Sequence, residues 1–169
     1  MSKGIVTPAD NYESCFTNFR WPNDERFNIA TAVCDRHALA TPDATAVIYD
    51  HDSGTQRLSF VQLQRSANRL ANTLSMLGIV RGDRIAIHLP QCPDTAIAHV
   101  AIYKLGAIAV PLFTLFGEEA LQFRLANSGA RVLITAATST APSSRPRVLT
   151  NPSSQPMSTG PPISKRAPP

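Results

Sequence analysis

The sequence predicts an α/β fold: a short hairpin, then a parallel sheet with crossover helices, then a disordered tail. Three observations carry that expectation. From Arg84 to Thr135, apolar runs of strand length alternate with helix-length segments, the rhythm of parallel strands joined by right-handed connections. Ahead of them, two β-type runs flank a cluster of turn formers. Beyond Thr135 the composition changes abruptly, and residues 136–169 hold eight Pro, seven Ser and four Thr with no acidic and no aromatic residue.

A chain of 169 residues, 43% hydrophobic, suits one domain with a core of its own. It divides into a polar leader over 1–26, a patterned body over 27–135 and a Pro/Ser-rich tail over 136–169. The body opens with "FNIATAVCDRHALA", where Phe27, Ala30, Val33, Cys34 and Ala38, with His37 beside them, fall near one helical face and Asn28 is placed to cap the start. Next, "ATAVIYD" and "QRLSF" read as antiparallel strands around "HDSGT". From Val61 the period changes: Leu63, Ala67, Leu70, Leu74 and Leu77 share one helical stripe, Gln64, Arg65, Asn68, Arg69 and Asn72 take the other side, and Gly78 ends the helix.

The alternation then runs "RIAIHL", a helix from Asp94 to Leu105, "IAVPL", a helix from Glu118 to Ser128, and "RVLIT". The helix "DTAIAHVAIYKL" is apolar almost all round, which predicts cover on both sides.

Charge and cysteine usage exclude several classes of function. All twelve acidic residues lie within 1–135, where twelve Lys and Arg balance them, so the formal +4 comes from Arg145, Arg147, Lys165 and Arg166 in the tail. Four scattered cations with no aromatic between them make no nucleic-acid stripe, and no nucleic-acid partner is expected. Cys15, Cys34 and Cys92 match no metal spacing and follow no secretory leader, which points to reduced thiols and a cytoplasmic location. The longest nearly apolar stretch, "GAIAVPLFTLF", is about half of the roughly 20 residues a spanning helix needs, and it contains a proline, so no membrane span is expected.

Candidate chemical groups are sparse. His99 lies in the apolar helix and is expected to be a satisfied core histidine, while His37, His51 and His88 form no ligand cluster with it. The glycines of "GIVRGDR" precede a strand, whereas a dinucleotide loop follows one, so this stretch is expected to be a turn. "LPQCPD", Leu89 to Asp94, is the most site-like loop because it leaves the carboxyl end of a parallel strand, where open α/β sheets bind ligands. Gln91 and Cys92 are its possible ligand contacts, and Asp94 is expected to be an N-cap.

Three stretches in order, "FNIATAVCDRHA", "LSFVQLQRSANRLANTL" and "YKLGAIAVPLF", with "RGDRIAIHLPQCPDTAIAHVAIYKLGAIAVPL" unbroken, resemble the beginning of AMP-forming acyl-CoA synthetases of the adenylate-forming superfamily. The resemblance covers Phe27 to Thr135, with Phe60 where the family usually has Tyr and Gln62 where it often has Glu. It implies a partial N-terminal lobe of the synthetase fold. It also implies the family reaction: ATP and Mg2+ activate a carboxylic acid to an acyl adenylate, and coenzyme A then displaces AMP.

Lys104 and Gly106, Pro111, and Leu58 with Leu63 are carried over as scaffold: a helix terminus and turn, a strand end, and core. The family's phosphate loop, rich in Gly, Ser and Thr and bearing a Lys, has no counterpart in "TAATSTAPSSRP", and its later elements are missing too. No residue is therefore assigned a catalytic, cofactor-binding or metal-binding role, and no cofactor is expected on this chain. The expectation is a truncated N-terminal piece of an acid:CoA ligase, inactive alone and of marginal stability, because stopping at "RVLIT" leaves a strand edge open. The alternatives are a stand-alone binding or regulatory module that pairs with a full-length relative, and one half of a split synthetase. The tail reads either as a low-complexity segment or as off-frame sequence joined near Thr135.

Overall fold

A computed structural model describes residues 11–19, 27–136 and 147–150. Within the expected leader, α1 (Tyr12–Asn18) is a short helix started by Asn11, whose side chain accepts a hydrogen bond from the Ser14 amide at 2.8 Å. Tyr12 and Phe16, one turn apart, stack at 6.1 Å.

The first helix of the body is interrupted. A π-helical turn spans Thr31–Asp35 and leads into α2 (Arg36–Ala40). Ala30, Cys34 and Ala38 are buried as expected, but Phe27 is 64% and Val33 49% exposed. The wider turn rotates successive side chains by less than an α-helix does, so an apolar face projected at α-helical spacing drifts off the core at Val33, whereas Phe27 lies ahead of the helix start.

The hairpin pairs β1 (Thr45–His51) with β2 (Gly54–Ser59) antiparallel, His51 opposite Gly54, with an irregularity between Thr45 and Val47. Ser59 then caps α3 (Phe60–Met76). Its hydroxyl accepts from the Gln62 amide at 3.4 Å, while the Gln62 side chain accepts from the Ser59 amide at 2.9 Å, a reciprocal capping box. Leu63, Ala67, Ala71 and Leu74 are buried along the inner stripe, and Leu77, expected to continue it, is 40% exposed past the helix end. Gly78 follows in the left-handed region at φ +77°, as its terminating role requires.

The second sheet has strand order β4-β3-β5-β6, formed by β3 (Arg84–His88), β4 (Ile108–Pro111), β5 (Val132–Thr135) and β6 (Arg147–Thr150). β3 pairs parallel with β4 and with β5, through α4 (Pro93–Lys104) and α5 (Glu118–Ser128). One crossover runs outward to β4 and the other back past β3 to β5, so a shared hand requires the helices on opposite faces. The packing agrees. Ile85, Ile87, Val132 and Ile134 meet Leu74 of α3 and Ala98 and Ile102 of α4, whereas Ala86 and Leu133 belong with Leu121 and Leu125 of α5. On its other side α4 presents Val100 and Ala101 to Ala30, Cys34 and Ala67, so this helix is covered on both sides as its composition predicts.

β6 corrects the expectation for four tail residues. Arg147–Thr150 pair antiparallel with all of β5, from Thr135 opposite Arg147 to Val132 opposite Thr150, and Val148 packs against the core beneath α3 and α4. An alternating apolar pair next to an unpaired strand edge supplies the backbone partners that composition alone does not register. The open β5 edge expected from a stop at "RVLIT" is therefore covered. The remainder of the expected disordered tail, 137–146 and 151–169, lies outside the described residues.

Candidate functional site

Because the two crossovers run in opposite directions, the sheet has its switch point where the carboxyl ends of β3 and β5 lie side by side, the place where open α/β sheets accept ligands. The loop after β3 is Leu89–Cys92, ahead of Pro93 at the first position of α4. Leu89 is buried and anchors it, while Gln91 is exposed. Two clefts flank the loop. One, about 310 Å3, lies between Leu89, Pro90 and Gln91 and the end of β4 at Pro111, Leu112 and Phe113. The other, about 350 Å3, lies between the hairpin residues Val47 and Tyr49 and the side chains of Gln91, Cys92, Thr95 and His99. The loop picked out in the sequence thus does line concave surface, with Gln91 in both clefts.

The polar groups of the second cleft are held by one another. Thr95 donates to the Pro90 carbonyl at 2.6 Å, which leaves its oxygen to accept from the Cys92 thiol at 3.8 Å. His99 Nδ1 meets the Thr95 carbonyl at 2.9 Å, and the ring lies edge-on to Tyr103. A nitrogen facing a carbonyl carries the proton, so His99 donates from Nδ1 and is partnered as expected, although it is half-buried in the cleft wall rather than a core residue. Asp94 is not the N-cap: Cys92 holds that position and Asp94 sits at the second residue of the helix. Pro93 explains the shift, since its fixed φ and missing N–H suit the first helical position and displace the cap by one residue. Burial pushes the Asp94 carboxyl up from the usual carboxylate range.

At the switch point, His88 ends β3 opposite Thr135 of β5, which in turn lies opposite Arg147 of β6. His88 Nε2 is buried with no hydrogen-bond partner. In the sequence this histidine is only one of four unclustered imidazoles, because its place at the switch point depends on the pairing of β3 with β5. The other two are elsewhere: His37 stacks on Phe60 at 4.9 Å, and His51 Nδ1 lies 2.7 Å from the Ser53 hydroxyl. Among the described residues, no group of three or more His, Cys, Asp or Glu is placed to hold a metal ion.

Among the described residues, those at this rim do not fit a nucleoside triphosphate. The loops after β3 and β4, with the first turns of the helices they lead into, carry three carboxylates, Asp94, Glu118 and Glu119, and no cation, and Arg147 is the described cation at this rim. The remaining cations near the sheet are committed to structure. Lys104 closes a short ion pair with Asp35, which also accepts from Gln64 at 2.9 Å. Arg131 pairs with buried Asp83, and Arg84 donates to the carbonyls of Ser128 and Gly129 at the opposite end of the strands. Arg124 lies 3.9 Å over the Phe116 ring. The scaffold readings of Lys104, Gly106 (φ +64°), Pro111 at the end of β4, Leu58 and Leu63 agree with these positions. No helix among the described residues is long and apolar enough to cross a membrane.

Comparison with known proteins places this geometry. The family model described as AMP-binding enzyme matches residues 34–168, a match that runs past Thr135 through the tail. The acetyl-coenzyme A synthetase of Cronobacter sakazakii is 39% identical over 121 residues, covering 70% of this chain and 19% of that protein. Those of Salmonella typhi, at 37% over 121 residues, and Escherichia coli K12, at 37% over 120, are covered to 19% and 18% of their length and match 70% of this chain. The chain therefore spans about one fifth of the length of these curated relatives.

Proposed function

The chain belongs to the AMP-binding enzyme family, and from that premise we propose that it is an N-terminal portion of an acid:CoA ligase. The reaction it derives from joins a carboxylic acid to ATP as an acyl adenylate, with release of pyrophosphate, and transfers the acyl group to the thiol of coenzyme A. The observation that carries the proposal is the unbroken run through β3, α4 and β4, within a stretch 37–39% identical to acetyl-coenzyme A synthetases. Family substrates are ATP, a carboxylic acid and coenzyme A, with Mg2+; nucleic acid is not among the partners. Free Cys15, Cys34 and Cys92 support a cytoplasmic location.

Alone, the chain is inactive in this reading. Phosphoryl and adenylyl transfer depend on cations and backbone N–H groups gathered around the phosphates, and among the described residues the rim of the sheet offers one arginine beside the acidic side chains Asp94, Glu118 and Glu119. ATP–pyrophosphate exchange with acetate, butyrate and longer acids is the test. No exchange above background is expected, and robust exchange by this chain alone overturns the inactive-alone reading.

A second reading is favoured by β6, which closes the edge of β5 within the chain. A lobe so closed suits a stand-alone binding or regulatory module that pairs with a full-length relative, or one half of a split synthetase. Exchange activity that appears only on mixing with a complementary synthetase chain supports the split enzyme. The nature of the tail has its own test, because the family match continues past Thr135. Translating the two other frames downstream of codon 135 decides it: a glycine-rich phosphate loop in either supports an off-frame tail, and its absence from both supports a tail in frame.

A further inference from the structure

We infer that the outer edge of β5 is a strand-docking surface, that Arg147–Thr150 is its occupant supplied by the same chain, and that this segment keeps the edge from pairing with a second copy. β5 is the sequence "VLIT", paired on its inner side with β3. Its backbone groups on the other side require partners, and an unpaired edge of β-branched and apolar residues pairs with whatever strand is available.

β6 has the features of a strand made to close such an edge. It is four residues long and in register with all four of β5. Its alternation matches the sheet beneath it: Val148, opposite Ile134, packs with the core under α3 and α4, and Leu149 lies opposite Leu133 on the other face. In the sequence Pro146 stands immediately before the strand and Pro152 two residues after it, and proline, lacking an N–H, is a residue type that disfavours a longer ladder. Arg147 and Thr150 at its ends are exposed, and a terminal charge discourages a further strand from stacking on β6 itself. The inference concerns how the lobe persists as a separate chain and holds whether or not it takes part in acid activation.

Two measurements test it. In the unaltered chain, hydrogen exchange followed by mass spectrometry is expected to find the amides of 147–150 and of Val132–Thr135 protected together. Exchange of 147–150 at free-peptide rates overturns the inference. The second measurement replaces residues 147–150 with Gly-Ser-Gly-Ser in the full-length chain. Exchange at Val132–Thr135 is expected to accelerate by about tenfold or more, and light scattering after size exclusion is expected to show self-association that grows with concentration. A replaced chain that remains monomeric, with exchange at Val132–Thr135 unchanged, overturns the inference. Should the replacement abolish folding, exchange in the unaltered chain decides alone.

Discussion

Single side chains divide between those the local pattern exposes and those whose role depends on a distant partner. Cys34 sits on the buried stripe of the first helix, where burial and the neighbouring Asp35 charge push its thiol up while Lys104 works in the opposite direction. Only the thiolate is nucleophilic, so iodoacetamide is expected to alkylate Cys15 and Cys92 first and Cys34 last, in an order that peptide mass spectrometry reads directly. Asp35 is pulled two ways. Burial raises its carboxyl, the hydrogen bonds from Lys104 and Gln64 and the Lys104 charge lower it, and the net direction is downward. A carboxylate lowered in the folded state contributes stability that is fully present above its unfolded value, about 3.9, and is lost as pH falls through the folded pKa. Asp35→Asn is therefore expected to cost about 1–2 kcal/mol at pH 7, and urea titrations of variant and parent are expected to begin converging only below the unfolded value and to meet beneath the lowered folded pKa. Asp94 works with the opposite sign, since its raised carboxyl withdraws stability as pH climbs through the folded pKa. In the sequence Lys104 is legible as a cation at a helix end; its pairing with Asp35, 69 residues away, becomes visible only in the fold.

At the level of elements, termini carry as much information as apolar stripes. The Asn28 cap read from the sequence is present, its side-chain oxygen accepting from the amides of Ala30 and Thr31 at 2.9 and 3.3 Å. The same amide group donates to the Tyr103 carbonyl at 3.0 Å, so one side chain caps the start of the first helix and the end of α4. Asn28→Ala removes both contacts and is expected to lower stability by about 1–2 kcal/mol, seen as a lower urea midpoint with an unchanged slope. The Ser59 capping box was available as Ser-x-x-Gln at the head of the α3 stripe, a signal that identifies the helix start without any tertiary information. By contrast, the π turn over Thr31–Asp35 has no sequence mark, and it carries Val33 outside, while Phe27 lies outside because it precedes the Asn28 cap.

The whole molecule is a layered sheet in which α4 is the shared wall. Ile102 belongs to the core between α4 and the sheet and is fully buried, while its helical neighbours Val100 and Ala101 face Ala30, Cys34 of the π turn and α3. Ile102→Ala is expected to cost about 2–5 kcal/mol, and thermal unfolding followed by circular dichroism and by tryptophan-independent hydrogen exchange is expected to show both cores weakened together. Separate transitions, with the core around Cys34 and Ala67 unaffected, would contradict a single cooperative body. The sequence by itself determined the α/β class, the order of the strands and helices from Thr45 to Thr135, the double burial of α4 and the family, because periodicity, turn residues and short motifs are local properties of the chain. Only the tertiary structure decided that His88, Thr135 and Arg147 line up across the switch point, that Lys104 serves Asp35, and that part of the tail closes the β5 edge. Each of these depends on which strand lies beside which, and that is set by packing between segments far apart in the chain.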